Sequence, residues 1–138
     1  MLIIVIQRKH CLLNSKGINH SGFDFGNRSL IGVNLKTADL FQTGFTPANM
    51  QGINLTESNL KVAKLSIAKL ESVNLTNANL MWAALKETNL NNACLRGADF
   101  HWAQFKKVDI NRIQTGSQKF FPPKTGKVIP LNSKLEQH

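Results

Sequence analysis

Every fifth residue from Phe25 to Ile110 is a large apolar side chain, without exception across eighteen positions. A period of five matches neither the 3.6-residue repeat of an α-helix nor the two-residue alternation of a flat strand. It reports a coiled backbone that turns the same kind of residue inward at each step. Internal repetition outranks local propensity as a sign of architecture. A solenoid is therefore the expected fold before any single element is assigned.

Two residues before each apolar centre, twelve of the eighteen positions hold Ala, Ser or Thr. In an extended segment these two positions point the same way, so small and large side chains alternate toward one interior and fill it densely. The residue between them is often Asn or Asp, which suits a turn-rich backbone because its side chain bonds to nearby main-chain groups. The larger residues at the small position set the size of the coil. Val33, Ile53 and Val73 are spaced by twenty, and Leu13 and Ile113 extend that column. Their pentads read alike, as IGVNL (31–35), QGINL (51–55) and ESVNL (71–75). Four pentads per turn make a square cross-section, with each side stacked on the next coil at about the 4.8 Å spacing of paired strands.

The triplets ADL, ANM, SNL, ANL, TNL and ADF at 38–40, 48–50, 58–60, 78–80, 88–90 and 98–100 resemble the A(D/N)LXX unit of the pentapeptide-repeat family. The resemblance implies an all-β, right-handed quadrilateral β-helix of about four to five coils. The expected organisation is an N-terminal cap or irregular first coil over 1–20, the solenoid over 21–120, and a basic irregular tail over 121–138. Phe23 is oversized for its small inward site, Arg28 puts a charge at another, and His20 stands where an apolar centre belongs. Arg28 there is either an anion ligand or a residue that an irregular coil lets out. Leu2 to Ile6 is expected to cover the open N-terminal end, and Pro122–Pro123 to stop the pattern.

The net charge of +9 is concentrated at the ends. Segment 21–110 carries nine basic and seven acidic residues, whereas 1–20 has three basic residues and no acid. The longest apolar run, Leu2 to Ile6, is far too short to span a bilayer, and Arg8 and Lys9 follow it instead of preceding it as in a secretory signal. No membrane span and a cytoplasmic location are expected. Cys11 and Cys94 form no metal spacing or disulfide framework, and reduced thiols are expected.

No nucleophile–base arrangement, phosphate-cradling glycine loop or ligand cluster is found. Neither catalysis nor a cofactor or metal is expected. Interest falls on the outward residues. Trp82 and Trp102 are twenty apart, hence on one outward column with Val62 below, and Phe41, Met81 and His101 line the adjacent column. A contiguous apolar patch of this kind suggests an interface, unless the tail, through Phe120 and Phe121, folds back over it. Arg96, Lys106, Lys107 and Arg112 near the same end are candidate anion contacts. The expected role is a non-enzymatic scaffold that docks a protein partner or a second copy of itself. Two alternatives stand beside it. The resemblance allows a DNA-mimicking modulator of a type II topoisomerase such as gyrase, although mimicry of a polyanion calls for an acidic rod. The basic flanks allow direct binding to nucleic acid or an anionic surface.

Overall fold

The computed structural model describes residues 14–116. Parallel bridges join each residue between the two inward positions to the one twenty residues on, from Asn14↔Asn34 to Cys94↔Gln114. Four such columns run the length of the rod. The first side carries Asn14, Asn34, Asn54, Asn74, Cys94 and Gln114; the second, Asn19, Asp39, Asn59, Asn79 and Asp99. The third carries Asp24, Gly44, Lys64, Ala84 and Gln104, and the fourth Ser29, Asn49, Lys69, Asn89 and Asp109. The twenty-residue turn expected from the sequence is thus the coil of the fold.

One pentad shows why these residue types recur. The Asn54 N–H donates to the Val33 carbonyl of the preceding coil (3.0 Å), and the Leu55 and Glu57 N–H groups donate to Asn74 and Thr76 of the following coil (both 2.8 Å). The Thr56 N–H donates to Oδ1 of Asn54 (3.1 Å). The Ser58 N–H closes the corner on the Leu55 carbonyl (3.1 Å). All five donors are satisfied, as a largely enclosed backbone requires. The Asn or Asp supplies the one acceptor that neither the coil stacking nor the turn provides.

The third residue of each corner takes a positive φ, which with the closing bond marks a type II turn. Gly17, Gly22, Gly32, Gly52 and Gly97 occupy such positions, but so do Val62 (φ 63°), Ile67 (φ 61°) and Trp82 (φ 61°). Bulky and β-branched residues resist that conformation, so stacking on both neighbouring coils holds them there. Pro47 is the exception. Its ring fixes φ near −65°, so it stands outside the positive-φ column, although Thr46 and Pro47 still form a turn.

Inside, leucines, phenylalanines and alanines form one continuous core, with Leu55, Leu60, Leu65 and Leu70 all fully buried. Phe25 stacks on Phe45 (5.4 Å between ring centres), and Phe23 lies against Phe25 (4.8 Å). The regular ladder already includes Asn14 and Asn19, ahead of the boundary expected at residue 21. The first coil closes its corners normally, through Ile18 to Ser15, Phe23 to His20 and Arg28 to Phe25. Its backbone is regular and only its filling is unusual, because main-chain pairing sets the coil and tolerates a poor side chain at its end. Buried Ser15 Oγ and His20 Nε2 have no hydrogen-bond partner, and burial pushes the His20 imidazole below its ordinary pKa. The expected cap at Leu2 to Ile6, Cys11 and the tail from 121 lie outside the described residues.

Candidate functional site

At a corner the chain reverses direction, so the side chain of the positive-φ residue points away from the axis. Successive coils repeat that projection at the strand spacing, and identical flat residues twenty apart must stack. Trp82 and Trp102 do so at the corner between the second and third sides, with ring centres 5.0 Å apart and planes inclined by 14°. The Trp82 N–H donates to the His101 carbonyl (3.0 Å), tying the two coils beneath the rings. Stacking satisfies one face of each ring only: Trp82 remains 50% exposed and Trp102 45%.

The rest of the candidate surface lies on the same edge. Val62 continues the tryptophan column; Phe41, Met81 and His101 occupy the column beside it, all half-buried. The His101 ring lies 5.3 Å from that of Trp102, and its Nδ1 contacts Oδ1 of Asp99. Asp99 Oδ1 also accepts the His101 N–H (3.1 Å), so the imidazole is tethered beside the indole stack. All six residues singled out for this surface thus share one edge. Lys61, also half-buried there, supplies a cation.

The four candidate anion contacts are dispersed. By register Arg96 occupies the corner after the first side, Lys106 and Lys107 the corner after the third, and Arg112 the corner after the fourth. They ring the last coil, with the first and third corners diagonally opposed, and do not form one patch. Among the described residues, no group of three or more His, Cys, Asp or Glu is placed to hold a metal ion. Cys94 is a free thiol whose Sγ lies 3.3 Å from Thr76 Oγ1. The sequence reading passed over the corner at Pro47, although its signal is plain: a proline in a column otherwise held at positive φ.

The family described as pentapeptide repeats matches residues 45–77, 63–101 and 74–112, in eight copies of the unit. A crystal structure of a pentapeptide repeat protein, Rfr23, from the cyanobacterium Cyanothece 51142 superposes with a TM-score of 0.77 at 27% identity, covering 79% of this chain and 88% of that one. A pentapeptide repeat protein of the Arabidopsis thaliana thylakoid lumen is 30% identical, with a TM-score of 0.55 over 68% of this chain and 62% of its own. QnrB1, a plasmid-mediated fluoroquinolone resistance protein, reaches a TM-score of 0.45 at 18% identity, too distant to bear on role. No curated protein matches. The fold is the right-handed quadrilateral β-helix expected from the repeat.

Proposed function

We propose that this chain, which belongs to the pentapeptide-repeat family, is a non-enzymatic interaction module that docks a protein, or a second copy of itself, through the Trp82–Trp102 edge. The observation that carries this reading is the pair of stacked indoles, each still about half exposed. Tryptophans are over-represented among the residues that dominate binding energy. A preorganised stack loses little side-chain entropy when a partner covers it. The coils beneath are tied together at this edge by the Val62 N–H to the Met81 carbonyl (2.9 Å) and the Trp82 N–H to the His101 carbonyl (3.0 Å), so the edge presents a fixed shape.

No helix among the described residues is long and apolar enough to cross a membrane, and we place the module in the cytoplasm. A duplex mimic finds less support, because residues 14–116 carry eleven basic and seven acidic residues. Binding through a basic patch finds less as well, since the four terminal cations point to different corners.

The test compares the wild-type chain with a Trp82→Ala/Trp102→Ala variant by size-exclusion chromatography with light scattering, and by affinity capture from the source lysate. Circular dichroism of both confirms that the coil is retained. A dimer or a captured protein that disappears in the variant supports the proposal. A monomer in both cases, with the same proteins retained, refutes it.

A further inference from the structure

We infer that the corner interrupted by Pro47 is a binding site for a small phosphate-type oxyanion, held by Arg28 and Lys69. A recess of about 260 Å³ opens there, between Pro47 and Ile67 on the corner and Ser29, Asn49 and Lys69 on the fourth side, with Asn27 and Arg28 at one end. Every ionisable group lining it is cationic. Asn27, Asn49 and Ser29 add neutral donors, and the Asn49 amide is free to donate because its Oδ1 accepts the Gln51 N–H (3.3 Å). No carboxylate lines the recess. The Glu71 carboxylate, on the next corner and outside the lining, accepts from Nδ2 of Asn89 at Oε1 (2.9 Å), and its buried Oε2 has no partner among the described residues. Asp24, on the third side, accepts the Gly26 N–H (2.8 Å).

One feature of the chain otherwise lacks an account. Arg28 occupies a small inward position, in the column of Ala48, Ala68 and Thr88, and is half-buried with no ion pair or side-chain hydrogen bond among the described residues. A partly desolvated guanidinium without a counter-charge is costly. An oxyanion in the recess supplies that counter-charge. Guanidinium and ammonium groups with surrounding amide and hydroxyl donors match the charge-assisted recognition of a phosphate group. The recess exceeds the needs of a bare ion, so a phosphate monoester fits the same chemistry.

The test is calorimetric titration of the full chain with inorganic phosphate and, separately, with O-phosphoserine, at constant ionic strength. Saturable one-to-one binding of either probe is expected, and the stronger probe distinguishes free phosphate from ester. Arg28→Gln is expected to weaken it at least tenfold. Lys69→Gln, which removes the second cation of the recess, is also expected to weaken binding at least tenfold. Lys36→Gln, at the diagonally opposite corner, is expected to stay within twofold of wild type. Circular dichroism confirms that each variant is folded. Absence of saturable binding by the wild type overturns the assignment, as does equal weakening by all three substitutions.

Discussion

Replacing Leu60 by Ala tests whether the interior side chains, and not the ladder alone, hold the tube together. Leu60 is fully buried at the centre of the second side, between Leu40 and Leu80 of the adjacent coils. Removing three carbons forfeits about 2–2.5 kcal/mol of transfer free energy, at about 0.8 kcal/mol for each buried carbon. The remaining void adds about 1–2 kcal/mol if the walls cannot close on it. They are poorly placed to close: the Leu60 N–H is bonded to the Asn79 carbonyl (2.7 Å), the Asn59 N–H to Ala38 (3.0 Å) and the Ala63 N–H to Leu60 itself (3.0 Å). Relaxation there would break bonds to both neighbouring coils. A loss of about 4 kcal/mol is expected, in the upper half of the range for such substitutions. Urea unfolding followed by circular dichroism measures it, with Thr56→Ala on an outer corner as a control expected within about 0.5 kcal/mol of wild type. A loss below about 1.5 kcal/mol for Leu60→Ala would refute the reasoning, because stability would then reside in main-chain pairing.

Two further substitutions separate strain from crowding. Gly52→Ala meets nothing within 4 Å but must hold φ near +65°, a left-handed conformation costing about 1–2 kcal/mol, partly offset by a less flexible unfolded chain. Gly97→Ala has the same backbone (φ +67°), and its added Cβ overlaps Oδ1 of Asn77, the far end of an exposed side chain that can rotate away; denaturation should show it within about 0.5 kcal/mol of Gly52→Ala, and a loss greater by about 1 kcal/mol or more would contradict this. Burial lowers the His20 pKa below its ordinary value of 6.5, so the unfolded chain takes up the proton first as pH falls. The resulting stability is present above the unfolded pKa and is lost as pH drops toward the folded one. Thermal melts at about pH 7.5 and 5 should therefore show a larger acid loss for wild type than for His20→Leu, and parallel losses would exclude the effect.

The coil, its interior and the tryptophan column are legible in the residues because stacking converts a sequence interval of twenty into spatial adjacency. Leu60 and Leu80, or Trp82 and Trp102, need no further information to be placed one above the other. The Asn and Asp column is legible for the same reason, since one side-chain acceptor recurs wherever the backbone lacks one. Glycines at 17, 22, 32, 52 and 97 also mark the positive-φ position, a signal that the aromatic and β-branched residues sharing it obscure.

What the residues alone do not convey is how each corner departs from the average. Arg28 reads as a charge at an inward site, and only the folded coil shows it at a recess beside Lys69, two coils further on. The cations of the last coil read as neighbours in sequence, yet their corners face different directions. Periodicity prescribes the repeating bonds that all pentads share. Recesses, unpaired charges and exposed ring faces arise where one pentad differs from the two stacked against it, a property of three chain segments that tertiary structure alone brings together.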